Sequence, residues 1–270
     1  MGALPTVARS ALHFWEEPPI SGSRGSGTIF FSGCSLACSF CQNAAISGGK
    51  SGLTVSSFRV AEMMLELEEK GANNINFVTP THFVPTVKDS IILAREKGLK
   101  IPIVYNTGSF DTVEALKTLD GLIDIYLPDF KYWRADTAMK YSTAPTYPDV
   151  AKAAIAEMVR QRGTSVIENG IMKSGVIVRV LLLPSHLAEA KLTVKYLLDT
   201  YGDKIYISLM NQYTPIKGVA PPLDRRVTHA EYDELVDYAL KHGLKNGFTQ
   251  EWGTASESFI PPFDNTGVEK

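Results

Sequence analysis

All three cysteines of the 270-residue chain lie in one short stretch, FFSGCSLACSFCQN, at residues 30–43. Cys34, Cys38 and Cys41 therefore have the spacing C-x3-C-x2-C. A disulfide would leave one of these thiols unpaired, and a single nucleophilic cysteine would not need two neighbours. Three clustered thiols instead indicate a metal centre, and they fit a reducing compartment in which thiols stay unoxidised.

Two kinds of metal centre use three cysteines in different ways. Structural zinc takes four ligands, usually from two separated pairs, and this loop offers neither a second pair nor a histidine. An iron–sulfur cube normally takes four thiolates. Three thiolates would hold three of its irons and leave the fourth iron open to another ligand. A three-cysteine zinc site or an electron-transfer cluster remains the alternative.

The overall composition excludes several other functions. The chain is 44% hydrophobic and 21% charged, with a formal net charge of −2, so it shows no sign of a nucleic-acid or membrane partner. Its longest apolar runs have the length of strands. The N-terminal segment lacks the pattern of a secretory signal, and we therefore expect a cytoplasmic protein.

The remainder of the chain alternates between apolar runs and capped, amphipathic segments. The apolar runs predict six strands, at 28–33, 74–79, 101–106, 122–129, 175–184 and 204–210. The segments between and after them predict helices at 56–71, 84–98, 111–121, 147–163, 186–202 and 228–243. Such alternation is typical of an α/β fold with parallel strands. We expect a partial (β/α)6 TIM-like barrel, open on one side, with an open doubly wound sheet as the alternative.

Local signals add detail to this outline. Capping boxes are predicted at Asp111/Glu114 and at Thr228/Glu231. Asn169-Gly170 predicts a hairpin before the fifth strand.

The elements suggest three segments along the chain. Residues 1–27 form an N-terminal extension whose glycine-rich part, 22–27, is predicted to be a flexible entry segment. Residues 28–250 form the barrel domain, and 251–270 form a C-terminal tail. Coil is predicted from residue 247 onwards.

The cysteine spacing, with Phe40 before the last cysteine, resembles that of the radical S-adenosylmethionine (SAM) enzymes. The resemblance implies a 4Fe-4S cluster on Cys34, Cys38 and Cys41, whose open iron is chelated by the amino and carboxylate groups of SAM. It also implies reductive cleavage of SAM to a 5′-deoxyadenosyl radical, which abstracts hydrogen from a substrate. Phe40 is then expected near the adenine.

A finer resemblance concerns the pyruvate formate-lyase activating enzymes. The segments CSFCQN, DIYLPDFK and RVLLLP are similar to theirs and follow the same order. Residues 8–250 resemble an uncharacterised activase-like branch, through GSGTIFFSGC, VTPTHFVP and LPDFKYW. The resemblance implies an anaerobic oxidoreductase that activates a glycyl-radical protein, with flavodoxin or ferredoxin as electron donor. A small metabolite or peptide substrate, or a non-catalytic iron–sulfur module, remains the alternative.

One familiar motif of these enzymes is absent. They carry Gly-Gly-Glu at the end of the second strand, where it holds the amino group of SAM, but this chain has VTPTHFVP. Thr79 and Thr81 could supply oxygen atoms instead. His82 could face the mouth of the barrel, although it could also be a capping or surface histidine.

Charged residues at the strand ends are further candidates. Asp129 and Lys131 match the activating enzymes and would contact SAM or substrate, unless they form a solvated ion pair. Arg179 lies in an apolar strand and must be paired, because an unpaired buried charge is very costly. The SAM carboxylate is its expected partner, and Asp129 is the rival.

The remaining candidates are amide and aromatic side chains. Asn43 matches the activating enzymes and would order the cysteine loop, and Asn106 ends the third strand. Gln212 and Tyr213 follow the sixth strand, where the adenine is expected.

Overall fold

A computed structural model describes residues 4–216, 218–252 and 260–269. Within these ranges the strands are β1 (Thr6–His13), β2 (Ser26–Phe31), β3 (Leu53–Thr54), β4 (Ile75–Val78), β5 (Ile103–Thr107), β6 (Ile125–Pro128), β7 (Val166–Glu168), β8 (Ile171–Leu181), β9 (Tyr206–Met210) and β10 (Gly247–Thr249). The helices are α1 (Pro18–Ser21), α2 (Ala44–Ser47), α3 (Ser57–Glu69), α4 (Val84–Glu96), α5 (Val113–Lys117), α6 (Ala135–Ser142), α7 (Tyr147–Arg162), α8 (Leu187–Tyr201) and α9 (His229–Lys241). Short 3₁₀ turns cover Thr81–Phe83 and Gly202–Lys204.

The strands form one mostly parallel sheet that does not close. Its order is β10-β9-β8-β6-β5-β4-β2-β1-β3, and β7 pairs only with β8. From β2 to β10 the spatial order follows the chain order without a reversal. A doubly wound sheet needs such a reversal, so this alternative is excluded. The predicted partial barrel is confirmed, and all six predicted strands are present as neighbours.

The predicted coil after residue 247 is wrong at its start. Gly247–Thr249 forms β10, which pairs in parallel with β9 and makes a seventh parallel strand. Three residues are too few for a periodic signal, so only the neighbouring strand reveals them. Farther on, residues 253–259 of the predicted tail lie outside the described residues. The last part of the tail contacts β1, because the Ser10 N–H donates a hydrogen bond to the Thr266 backbone oxygen.

The N-terminal extension takes part in the sheet. β1 pairs antiparallel with β2, and His13 lies opposite Ser26 at the amino end of β2. The chain therefore reaches the amino-terminal end of the barrel before it enters α1. The predicted flexible segment 22–27 ends inside β2, where Ser26 and Gly27 are buried.

The helix α1 closes this end of the barrel. Its Ile20 is fully buried in an apolar cluster inside the barrel. The other buried members of this floor cluster come from β5, β6 and β8, and they are Val104, Ile125, Leu127, Met172 and Ile177. The remaining hydrophobic core lies mainly between the outer face of the sheet and the helices.

Most local predictions are confirmed, with one correction. Thr228 and Glu231 form the capping box of α9, and β7 and β8 form the hairpin, with Glu168 paired to Ile171 across the Asn169-Gly170 turn. The predicted Asp111/Glu114 box is wrong, because Thr112 caps α5. Asp111 is instead buried and accepts hydrogen bonds from Tyr105 and Thr107, so tertiary contacts decide its role.

Across the described ranges, none of the helices combines the length and the apolar character needed to cross a bilayer.

Replacing Ile20 by alanine tests the closure of the barrel floor. Deleting a large buried aliphatic side chain costs about 2–5 kcal/mol of unfolding free energy. We expect Ile20→Ala to lower the urea midpoint clearly. Leu240→Ala, at a side chain that is 58% exposed on α9, should leave it almost unchanged. Equal midpoints for the two variants would show that α1 does not pack inside the barrel.

Candidate active site

A cavity of about 580 Å³ fills the barrel at the carboxyl ends of the strands. At one end it is lined by the three cysteines, and at the other by Glu16 and Glu17 of the N-terminal segment. Catalytic residues of α/β barrels lie at this carboxyl-terminal face. Of the predicted site residues, the cavity is lined by Cys34, Cys38, Phe40, Cys41, Asn43, Thr79, Asn106, Asp129, Lys131, Arg179, Gln212 and Tyr213.

The cysteine loop leaves the end of β2, and α6 supports it from outside. The Ser142 hydroxyl donates a hydrogen bond to Cys38 Sγ at 3.0 Å. Tyr132 Oη lies 2.6 Å from Ser142 Oγ and 3.9 Å from the same sulfur. Sequence reasoning missed this pair, because nothing local to residues 130–146 shows that they fold back onto the loop.

The surroundings of the thiols do not suit a nucleophile. Burial raises the pKa of Cys34 to about 11, and burial together with the nearby Cys38 raises the pKa of Cys41. Nucleophilic cysteines have lowered pKa values. Within residues 4–216, 218–252 and 260–269, no three cysteine, histidine or acidic side chains converge closely enough to hold a single metal ion. A cubane binds each thiolate at a different iron, so the thiols need not converge on one point.

Phe40 lies in an aromatic cluster beside the loop. Its ring makes edge contacts with Tyr132, Tyr141 and Tyr213 at centroid distances of 6.3, 6.4 and 5.9 Å. These rings shield the loop from water on the side of α6. Phe40 is thereby held between the cysteines and the end of β9, the side on which the adenine is expected.

Gln212 is held by the amide side chains of Gln42 and Gln250. Gln42 donates to the backbone oxygen of Gln212, and Gln250 donates to the Gln212 side chain. This contact joins the cysteine loop to the segments after β9 and β10. Asn43 occupies the N-cap position before α2, and its side chain makes no capping hydrogen bond.

Arg179 is the centre of a largely buried charge network. Its guanidinium donates to Asp129 Oδ1 at 2.6 Å, to Asn106 Oδ1 at 2.5 Å and to Glu16 Oε2 at 3.2 Å. Asp129, the rival partner, therefore pairs with the guanidinium. The expected partner was the SAM carboxylate. Burial raises the pKa of Asp129, but Arg179 and then Lys131 outweigh it and hold this pKa below its ordinary value.

Lys131 connects this network to the cysteines. Its ammonium donates a hydrogen bond to Asp129 Oδ2 at 2.5 Å. The Lys131 side chain is 18% exposed. The pair is thus not a solvated surface pair. Burial opposes the charge of Lys131, but Asp129 and Cys38 raise its pKa above the ordinary value.

The residues that stand in place of Gly-Gly-Glu lie in two different surroundings, one inside the cavity and one outside its lining. Thr79 lines the cavity with φ of 57°, the left-handed region that glycine adopts easily and a β-branched residue rarely does. Thr81, which was expected to supply an oxygen atom, and His82, which was expected to face the mouth, are not among the residues that line it. The 3₁₀ turn after Pro80 carries Thr81 to Thr107, 3.3 Å away between hydroxyl oxygens.

Two acidic residues of the site were not predicted. Glu16 accepts hydrogen bonds from Asn76 and Asn106, and Glu17 is 8% exposed. Burial raises the pKa of both carboxyls. The stretch TVARSALH at 6–13 lacks strict alternation, so it does not predict the strand. The local signal is EEPP at 16–19, whose prolines indicate a helix start directly after the two acidic residues.

Comparison with known proteins decides the family. The sequence model of the radical SAM superfamily matches residues 28–173. The chain belongs to the radical SAM superfamily. This radical SAM protein is also 30% identical over 244 residues to the uncharacterized protein MJ0674 of Methanocaldococcus jannaschii, an alignment that covers 86% of the chain and 66% of MJ0674.

Solved structures share the fold at low identity. Streptococcus suis SuiB bound to S-adenosylmethionine matches with a TM-score of 0.57 and 11% identity, over 82% of this chain and 49% of SuiB. The hydrogenase maturase HydG from Carboxydothermus hydrogenoformans matches with a TM-score of 0.57 and 12% identity, over 87% of this chain and 60% of HydG. The chain thus spans about half of SuiB and under two thirds of HydG.

Membership of the superfamily implies a 4Fe-4S cluster with cysteine ligands, and SAM. The residues present fit both groups. Cys34, Cys38 and Cys41 share one loop and line one cavity, and they can provide three thiolates. Polar and charged side chains at the neighbouring strand ends face the same space.

The Ser142 hydrogen bond predicts a change in redox potential. Hydrogen bonds to ligand sulfurs stabilise the more negative, reduced cluster. We expect Ser142→Ala to shift the midpoint potential by about 20–60 mV in the negative direction, the equivalent of one net hydrogen bond. A potentiometric titration followed by electron paramagnetic resonance (EPR) measures this shift.

Ser39→Ala provides the control, since Ser39 is exposed in the same loop and its loss should leave the potential unchanged. Identical potentials for Ser142→Ala and wild type would mean that this hydroxyl does not contact the ligand sulfur.

Proposed function

We propose that this protein is an enzyme that cleaves SAM reductively and uses the resulting radical to abstract hydrogen from a substrate in the barrel. The observation that carries the proposal is the arrangement of one cavity, in which three cysteines face a buried Arg179–Asp129–Lys131 network. In the superfamily, the bound cluster supplies one electron, which breaks a C–S bond of SAM to give the 5′-deoxyadenosyl radical.

The chain's own residues would orient the reactants and exclude water. The proposed SAM contacts are Phe40, Asn43, Thr79, Asn106, Asp129, Lys131, Arg179 and Gln212. Lys131 supports this assignment, because its positive charge lines the same cavity as the cysteines and favours binding of the SAM carboxylate there. The catalytic unit would comprise residues 28–250 together with the 1–27 segment, whose Glu16 contacts Arg179.

The substrate class has two candidates. The first is a glycyl-radical protein, with flavodoxin or ferredoxin as the electron donor in an anaerobic cytoplasm. The open sheet and the exposed Phe14 and Trp15 at the cavity rim support it, because a peptide loop could enter there. The second is a small molecule or peptide side chain. It is supported by the apolar cluster that closes the floor of the barrel and by the Glu16–Arg179 ion pair inside the barrel. SuiB, which shares the fold, has been solved with its precursor peptide SuiA.

Reductive cleavage can be tested directly. After anaerobic reconstitution with iron and sulfide and reduction by dithionite, the wild-type protein should convert SAM to 5′-deoxyadenosine. Cys34→Ala, Cys38→Ala and Cys41→Ala should each give only background, since each loses a thiolate that holds an iron, while Ser39→Ala should retain activity. Quantitative mass spectrometry of the nucleoside is the measurement. A fully loaded wild-type protein that forms no 5′-deoxyadenosine would instead be a non-catalytic iron–sulfur module.

The two substrate classes predict different radicals. With a glycyl-radical protein as substrate, turnover should leave a stable glycyl radical on that partner, visible by EPR and dependent on SAM. Each radical formed should match one 5′-deoxyadenosine. If 5′-deoxyadenosine forms while candidate glycyl-radical proteins stay EPR-silent, the small-molecule hypothesis is favoured. Reduced flavodoxin or ferredoxin in place of dithionite tests the electron donor.

A further inference from the structure

Glu17 has a buried carboxylate oxygen without a protein partner. The side chain is 8% exposed and lines the cavity. Among the residues that the structure describes, none hydrogen-bonds to its Oε2. Glu17 stands at the start of α1, but its side chain does not cap that helix. Burying an unpaired polar atom costs free energy, so this oxygen calls for a ligand.

The charges around Glu17 do not balance. Arg179 already donates to Asp129, Glu16 and Asn106, and Lys131 pairs with Asp129 and faces Cys38. Three carboxylates at the inner part of the cavity, Glu16, Glu17 and Asp129, thus share two cations, whereas the fourth acidic residue of the lining, Glu251, is exposed. A buried uncompensated carboxylate is unfavourable, and it is relieved either by a proton or by a cationic ligand.

The carboxylates lie deeper in the barrel than the cysteine loop. Glu16 accepts a hydrogen bond from Asn76, which is level with Thr28 in the neighbouring strand. The cysteine loop begins only after Phe31, so it lies about 10 Å farther along the strands, at a rise of roughly 3.3 Å per residue. The two ends of the cavity therefore offer different chemistry, sulfur at the mouth and carboxylate at the floor.

We propose that Glu16 and Glu17 form a binding site for a cationic amine of the substrate at the floor of the barrel. An alkylammonium group has three donors, and it finds acceptors in Glu16, in the free Glu17 oxygen and in the Ser208 hydroxyl, which lines the same cavity. Because this site names a substrate class, the inference rests on the proposed function. A free diamine and a lysine side chain would present the same group.

A binding experiment tests the site without turnover. The reconstituted holoprotein is titrated with putrescine, and binding is followed by ligand-observed NMR, with 1,4-butanediol as the uncharged analogue. We expect wild type to bind putrescine at least about tenfold more tightly than butanediol, and Glu17→Gln to lose this difference. Glu69→Gln, on the exposed side of α3, should bind putrescine like wild type. A short capped lysine peptide, titrated in parallel, distinguishes a peptide source from a free amine.

Chemical coupling covers the case in which Glu17→Gln fails to fold. A water-soluble carbodiimide joins a carboxyl to a bound amine, and peptide mass spectrometry locates the amide. Wild-type protein treated with putrescine should carry the adduct at Glu16 or Glu17, and excess N,N,N′,N′-tetramethylputrescine, a dication that cannot itself form the amide, should suppress it. Adducts confined to surface carboxyls would overturn the proposal.

Two further results would also overturn the proposal. One is wild type binding putrescine no better than butanediol. The other is Glu17→Gln losing affinity for SAM rather than for the amine, which would assign the carboxylate to the SAM site. Formation of 5′-deoxyadenosine is measured separately. Amine binding without SAM cleavage would contradict the proposed function alone, and SAM cleavage without amine binding would contradict the floor site alone.

Discussion

The interior of the barrel depends on how one buried cation, Arg179, is satisfied. A guanidinium in this setting is tolerated only with close acceptors, because an unpaired buried charge is strongly destabilising. Its acceptors come from three places, Asp129 after β6, Asn106 at the end of β5 and Glu16 before α1. The network therefore fixes two strand ends and the N-terminal segment with respect to one another.

This constraint explains why the two faces of the sheet differ. The outer face packs apolar residues against the helices, as in other parallel sheets. The inner face is apolar at the floor, around Ile20, and towards the cysteine loop it carries charged side chains beside apolar ones such as Phe30 and Val78. These polar side chains would be costly to bury alone, but they form hydrogen bonds and ion pairs with one another. They also leave a cavity in which charge is fixed before any ligand binds, and such preorganisation favours catalysis.

The sequence predicted what depends on spacing and periodicity. The cysteine triad, the six alternating strands and the Thr228/Glu231 box are all local patterns, and the structure contains them. Contacts between distant segments were not predictable in this way. Glu16 reaches Arg179 across 163 positions, and Ser142 reaches Cys38 across 104. Asp111 has a capping pattern, but its carboxylate accepts hydrogen bonds from the buried Tyr105 and Thr107, and Thr112 caps the helix.

The central claim is that Cys34, Cys38 and Cys41 hold a cluster with one iron left for SAM. Electron–nuclear double resonance on the reduced holoprotein, with SAM labelled by ¹⁷O in its carboxylate and ¹⁵N in its amino group, tests this claim most directly. The account predicts hyperfine coupling from both labels to the cluster, and its loss when unlabelled SAM is in excess. A fully loaded cluster whose spectrum does not change with SAM and shows no coupling to either label would contradict it.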